Sequence, residues 1–326
     1  MDYVRLGRTG LLVSPITLGT MTFGNEADEA ESRRIMDYAF ERGLNFFDGA
    51  HNYNLGATEE IIGRWIGSRR ADIIYASKIF FPSGGNRNDE GLSRRNIIRA
   101  CEKSLKRLQT DYIDLLYLHH WDQNVPVEDS LAALDTLVQQ GKVHYAGVSN
   151  FSAWQTMKAV AESGSRGLVP VAVTQPMYSL VKRQAEVEIF PLAAHEGLAV
   201  VPYNAMGAGL LTGKYLAGGA GRLTESDMYR QRYDSAVYVE IAERFVAYAQ
   251  AHGHSPAALA TAWVMAHPLV ASTLVGARTV QQLEQTLTCL DIGLTLEQRA
   301  EITELSVDPP LATDREPMAA MRTRGW

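Results

Sequence analysis

The chain is predicted to fold as an α/β protein, a closed (β/α)8 TIM barrel with an N-terminal β-hairpin and with extra helices and a tail at the C-terminus. Three observations predict it. Eight short apolar runs of strand length recur along the sequence, helix-length amphipathic stretches separate them, and the polar residues Asp48, Lys78 and His119 stand directly after three of the runs. An open, doubly wound sheet is disfavoured because no Gly-x-Gly-x-x-Gly turn follows an early strand. The nearest string, Gly207-Ala208-Gly209-Leu210-Leu211-Thr212-Gly213, comes late in the chain.

Taken in order, residues 3–6 and 11–13 flank the turn residues Gly7, Arg8, Thr9 and Gly10 and read as a hairpin, making 1–14 a cap on the barrel. Strands are predicted over 16–20, 44–48, 73–78, 114–119, 143–149, 171–175, 199–203 and 272–275. Helices fill the intervals at 29–42, 58–69, 93–108, 127–140, 152–163 and 184–195, followed by a pair at 237–252 and 256–267 and a further helix-like stretch over 279–290. Residues 82–91 and 216–234 are rich in Gly, Asn, Ser or charge and follow rim residues, so they read as loops able to fold over a ligand. The whole chain, 1–326, is read as one barrel domain, because such barrels routinely exceed roughly 250 residues. Its tail, 308–326, either runs free or covers the pocket.

Composition narrows the function. With 31 Lys and Arg against 37 Asp and Glu, the net charge of −6 argues against a general nucleic-acid or acidic-membrane surface. No apolar run reaches the roughly 18 residues that cross a bilayer, and Met1 to Thr9 is too polar for a signal peptide, so a cytoplasmic protein is expected. Cys101 and Cys289 fall in apolar helix-like stretches and read as reduced core thiols.

Residues just past parallel strands gather on one rim, which would bring Asp48, Tyr53, Lys78 and His119 together. A phenol ionises near a pKa of ~10, and a cation beside it stabilises the phenolate. Lys78 is the candidate cation, with Asp48 to hold the ammonium, His119 to hydrogen-bond an incoming carbonyl and Tyr53 as general acid. The chain shows no thiolate pair, flavin motif or metal cluster to supply electrons, and a nicotinamide cofactor fills that gap. An apolar, partly aromatic substrate wall is predicted from Met21, Phe23, His51, Phe80, Trp121 and Tyr178, which follow strand ends. Competing readings are an ordinary buried Asp48–Lys78 ion pair, a solvated Arg278, and a metal-dependent hydrolase using His119, His120 and Asp122.

From the hairpin to about residue 290 the sequence resembles the aldo-keto reductase family. Asn45-Phe46-Phe47-Asp48-Gly49-Ala50 followed by Tyr53, Gly56 and Glu59 is similar to the family signature after its second strand, and the stretch from Asp111 to His119 is similar to the one that delivers its histidine. Gly147-Val148-Ser149-Asn150, Gln175, Tyr203 with Gly209 to Tyr215, and Gly276-Ala277-Arg278 with Gln282 extend the match in order and spacing. The resemblance implies that Ser149, Asn150 and Gln175 hold a nicotinamide carboxamide and that Tyr203 stacks on the ring. It also implies cofactor contacts from Gly19, Thr20, Met21, Asp48, Asn204, Gly207, Gly209, Leu210, Gln282 and Gln285. Gly276 and Arg278, with the amides of the helix that follows, are expected to grip an adenosine 2′-phosphate, which selects NADP(H) over NAD(H). The chain departs from the family pattern at Gly49, where Thr or Ser is usual, at Asn204-Ala205-Met206, and at Gln285 and Thr286.

The expected function is NADPH-dependent reduction of a small aldehyde or ketone, with the protein free to form homo-oligomers. The alternative is a nucleotide-sensing regulatory subunit that turns over slowly, as some relatives of this barrel associate with membrane channels.

Overall fold

The computed structural model describes residues 1–311 and 313, so most of the 308–326 tail lies outside the described residues. The hairpin forms from β1 (Val4–Arg5) and β2 (Leu12–Val13), paired antiparallel. A parallel eight-stranded sheet follows: β3 (Ile16–Gly19), β4 (Phe46–Asp48), β5 (Ile74–Ile79), β6 (Ile113–Leu118), β7 (Val143–Ser149), β8 (Val171–Gln175), β9 (Ala199–Val200) and β10 (Thr273–Gly276). Seven of them pair in chain order and β10 returns beside β3. Ala271 N donates to Val200 O at 2.9 Å and Leu274 N to Pro202 O at 3.0 Å, which carries the curl round from β9 to β10. The arrangement is the (β/α)8 barrel that the sequence predicts.

Helices between the strands are α1 (Glu29–Glu41), α2 (Ala57–Ile66), α3 (Arg94–Leu108), α4 (Val127–Gln139), α5 (Ala153–Arg166) and α6 (Ile189–Glu196). Local chemistry sets several starts. Asp28, Ser93 and Ser152 each accept an amide proton from the first turn of α1, α3 and α5, and Gln155 answers Ser152 in a capping box. After β9 come the short α7 (Arg222–Glu225) and α8 (Asp227–Arg232), then α9 (Ala236–Ala251), α10 (Pro256–Met265), α11 (Val280–Leu287) and α12 (Leu296–Thr303).

Two departures from the predicted elements have a common cause in proline. The strand expected over 199–203 pairs in regular fashion only at Ala199–Val200, since Pro202 has no amide to donate and offers its carbonyl to Leu274 instead. The helix expected over 184–195 breaks into a 3-10 turn and α6, because Pro191 cannot supply the hydrogen bond that would continue the helix backwards. The loop at 216–234 holds α7 and α8, separated at Ser226 by extended backbone.

Inside the barrel, Phe46, Ala76, Leu115, Tyr117, Val173 and Val201 pack together, and Leu6 and Val13 of the hairpin join them, so β1 and β2 plug one end. Larger clusters fill the space between sheet and helices. Cys101 and Cys289 are free and buried. Among the described residues no helix is long and apolar enough to cross a membrane.

Candidate active site

The rim opposite the hairpin is built by strand ends. Asp48 closes β4, Lys78 is next to last in β5, and His119 follows β6. Amide bonds from each rim residue to its neighbour hold them in register: Gly49 N to Ala76 O at 2.8 Å, His51 N to Lys78 O at 3.1 Å and His119 N to Ile79 O at 3.0 Å. Lys78 Nζ donates to Asp48 Oδ1, to Gly49 O at 2.7 Å and to Tyr53 Oη at 3.5 Å, while Gln175 Nε2 donates to Asp48 Oδ2 at 2.9 Å. The structure therefore brings the carboxylate, ammonium and phenol into one chain, with the imidazole ring of His119 6.2 Å from the Tyr53 ring.

Tyr53 rides on a 3-10 turn, Tyr53–Gly56, in which Asn54 and Leu55 adopt left-handed backbone at φ 47° and 56°. Such conformations cost of order 1 kcal/mol each and need outside support. Asn54 supplies part of it, donating from Nδ2 to Phe23 O at 2.7 Å and Met21 O at 3.2 Å. Arg107 supplies the rest from α3. Its Nη1 donates to His51 O at 2.8 Å and lies 3.4 Å from the fully buried Glu59, whose Oε1 accepts from Ser77 at 2.8 Å. Gly56, at φ 98°, leaves room for that guanidinium, since a Cβ there would stand 2.2 Å from Arg107 Cζ.

Gly49 departs from the family pattern for a reason visible only in the fold. A Cβ at this position would lie 2.1 Å from Tyr75 Oη, so the tyrosine of β5 occupies the volume that a threonine or serine side chain needs.

Burial pushes the Tyr53 phenol above its ordinary range, and the nearby Lys78 charge pulls it down without cancelling that effect. The sequence reveals the cation but not the burial that opposes it. The outcome is a tyrosine that holds its proton at neutral pH, the form a proton donor requires. Burial likewise opposes the Lys78 charge, but Asp48 and Tyr53 outweigh it and keep the ammonium above its ordinary value. Burial, reinforced by Lys78, His51 and His120, drives His119 well below the usual histidine range, so its ring is neutral. His119 Nδ1 is buried without a partner, which leaves Nε2 as the nitrogen directed at the cleft.

A cleft of about 920 Å³ opens over these groups. Of the residues singled out from sequence, Gly19, Thr20, Met21, Asp48, Tyr53, His119, Ser149, Asn150, Gln175, Tyr203, Asn204, Gly209, Gly276, Arg278, Gln282 and Gln285 line it. Lys78 stands beneath the surface, in contact with Asp48 and Tyr53. Others lie elsewhere, and each placement corrects an expectation. Gly207 and Leu210 turn inward on the 3-10 segment after β9, the glycine facing Val181 and the leucine joining the core. Phe23 is fully buried and offers only its carbonyl, to Asn54 and Thr58. His51 is fully buried behind the rim, and burial pushes it down to about 4. Phe80 and Trp121 pack on the helix-side core, and Tyr178 stacks on Trp263 and meets Phe190 edge-on. Residues not foreseen from sequence also line the cleft: Asn52, Phe81, His120, Met228, Tyr229 and Arg232. The last three belong to α8, and the spacing of Tyr229 and Arg232 by three residues is the sequence signal that could have put them on one face.

The hydrolase constellation does not assemble. Asp122 accepts from Leu92 N and Asn124 N at 2.8 and 2.9 Å and is spent on backbone, and among the described residues no group of three or more metal-ligating side chains is clustered.

Whether the residues fit a dinucleotide can be judged from charge. Lys214, Arg222, Arg232 and Arg278 line the cleft, against one carboxylate, Asp48, already neutralised by Lys78. A cationic groove in a chain of net charge −6 fits a polyanion. Polar groups fit a carboxamide at the strand ends. Asn150, in left-handed backbone at φ 56°, donates to His119 O at 3.0 Å and Ser149 Oγ at 3.2 Å and accepts from Tyr203 Oη at 2.6 Å, which fixes the tyrosine ring beside it. The phosphate grip differs in detail from expectation. Val280 N is taken by Glu31 at 2.9 Å, Gln282 N by the cap Thr279 and Arg278 N by the Gln282 side chain, so most early amides of α11 are satisfied within the protein. The side chains carry the charge: Arg278 lies 2.7 Å and Arg222 3.9 Å from Glu26.

Comparison with known proteins agrees with the geometry. Residues 15–307 match the family model described as Aldo/keto reductase family. The chain is 40% identical over 310 residues to the uncharacterized oxidoreductase YrpG of Bacillus subtilis, covering 91% of this chain and 93% of that one. It is 34% identical over 302 residues to a probable voltage-gated potassium channel subunit beta of Arabidopsis thaliana, covering 90% and 92%. It is 33% identical over 310 residues to norsolorinic acid reductase A of Aspergillus parasiticus, covering 90% and 78%.

Proposed function

The chain belongs to the aldo/keto reductase family, and from that premise we propose that it is an NADPH-dependent reductase of aldehydes or ketones. The observation that carries the reading is the linked set of Asp48, Lys78 and Tyr53 on the floor of a cationic cleft. A nicotinamide dinucleotide bound there supplies the hydride. Ser149, Asn150 and Gln175 orient its carboxamide, Tyr203 flanks the ring, and Arg278 with Arg222 favours the 2′-phosphorylated form. His119, neutral, donates a hydrogen bond to the substrate carbonyl. Tyr53 gives its proton to the developing alkoxide, and the fixed Lys78 ammonium stabilises the phenolate left behind.

Tyr53→Phe keeps the ring and removes the proton. It is expected to lower turnover of an accepted aldehyde by roughly 10²–10⁴-fold with little change in NADP+ affinity measured by fluorescence titration. Wild-type turnover in that variant overturns the assignment. A second reading, a slow nucleotide-sensing subunit, draws on the relatives named as channel subunits. Steady-state NADPH consumption separates the two, since many turnovers per protein with an aldehyde panel favour the enzyme and one slow turnover favours the sensor.

A further inference from the structure

Two of the four cations lining the cleft meet a carboxylate, Arg278 and Arg222 both reaching Glu26, while Lys214 and Arg232 each sit over a tyrosine ring, Lys214 4.7 Å from the Tyr215 ring centroid. Arg232 has no carboxylate within ion-pair distance among the described residues. It is the last residue of α8, half-buried, with its guanidinium 5.5 Å from the ring centroid of Tyr229 one turn earlier. The position is anchored rather than loose. Tyr233, the next residue, is buried, and its hydroxyl accepts from Asn204 Nδ2 at 2.5 Å and contacts Met177 Sδ at 3.8 Å. The end of α8 is thereby tied to the strand end that carries Tyr203.

Electrostatics agree with this placement. Tyr229 lies close enough to Tyr53, and Arg232 close enough to Tyr203, for their charges to bear on the ionisation of those phenols. Met21, Phe81 and Met228, all exposed, line the same cleft and give it an apolar rim. A guanidinium held in such surroundings without a counter-ion is matched by a planar anionic oxygen group brought in by a ligand.

Resting on the reductase reading above, we propose that Arg232, backed by Tyr229, forms an anion subsite that selects carbonyl compounds carrying a carboxylate. Tyr53 and His119 hold the reacting carbonyl at one end and Arg232 holds the carboxylate at the other, with the apolar rim along the body of the substrate.

The test compares wild type, Arg232→Met and Arg232→Lys as full chains on para-carboxybenzaldehyde and benzaldehyde. Loss of a charge-assisted hydrogen bond predicts that the ratio of kcat/KM, charged over neutral, falls by about tenfold or more in R232M through KM, and that R232K restores most of it. A ratio unchanged within about twofold overturns the subsite. Two titrations keep the sources apart. Benzoate is expected to bind the NADP+-loaded wild type more tightly than benzyl alcohol, with the preference lost in R232M. If R232M instead weakens NADP+ by about tenfold and leaves the substrate ratio intact, the arginine serves the cofactor phosphates and the proposal is overturned. If wild type reduces neither aldehyde, the reductase reading fails, and the benzoate titration still decides the subsite.

Discussion

Lys78→Met tests the buried ion pair beneath the cleft. The substitution keeps side-chain length and removes the charge. Lys78 and Asp48 have side-chain exposures of 1% and 2%, so the variant leaves a carboxylate whose remaining side-chain donor is Gln175 Nε2. Breaking a buried pair by removing one partner costs about 3–5 kcal/mol, a large share of the about 5–15 kcal/mol that keeps a typical protein folded. At roughly 2 °C per kcal/mol for a larger chain, the melting temperature is expected to fall by roughly 6–10 °C. The deficit carries a pH signature. Burial already holds the Asp48 carboxyl above its ordinary value against the pull of Lys78; with the ammonium gone that opposing influence is lost, and the folded state binds a proton more readily than the unfolded one. The penalty is full above that raised value and shrinks as pH falls through it toward the ordinary carboxylate range, so the melting gap narrows on acidification. The double variant Lys78→Met with Asp48→Asn removes both charges and keeps an acceptor for Gln175; it is expected to recover most of the stability while turnover stays low. Circular-dichroism melts and NADPH oxidation with an accepted aldehyde read both quantities. A K78M protein that melts with wild type, or a double variant that melts lower than either single change, refutes the reasoning.

Three further outcomes are expected. Because burial holds His119 neutral, the rate of aldehyde reduction should show no histidine inflection near the ordinary value of about 6.5; an inflection there that vanishes in His119→Asn would contradict the assigned role. Arg278→Ala should narrow the preference for NADPH over NADH by about tenfold, measured as the ratio of kcat/KM, since a charge-assisted contact to phosphate is worth about 1.5–3 kcal/mol; an undiminished preference moves the grip elsewhere. Gly56→Ala places a Cβ at φ 98° and 2.2 Å from Arg107 Cζ, and it should lower both stability, by about 1–3 kcal/mol, and turnover, as the Tyr53 turn loses its support. Equal melting and equal rates would show that the turn is held by other contacts.

Much of the barrel was legible in the linear chain because its elements are specified locally. Short apolar runs and amphipathic stretches set strands and helices, and the register of a strand carries the residue at its end onto the rim. That is why Asp48, Lys78 and His119 could be placed before any contact was known, and why Arg278 stood out at the start of α11. Prediction weakened where the backbone leaves its regular period. Past the end of β5 the alternation of faces no longer holds, and Phe81 rather than Phe80 turns to the cleft. At Pro202 and Pro191 a missing amide shortened one element and split another.

What the sequence determined by itself was the order of the elements and the identity of the chemical groups at their ends. Tertiary structure alone decided how those groups are tuned and enclosed: burial overriding the lysine at Tyr53, Tyr75 filling the space beside Gly49, Glu26 reaching Arg278 and Arg222 from the far end of the chain, and α8 setting Arg232 over the cleft. The physical reason is that desolvation and long-range charge pairing depend on which distant segments close around a site. No local pattern encodes that distance.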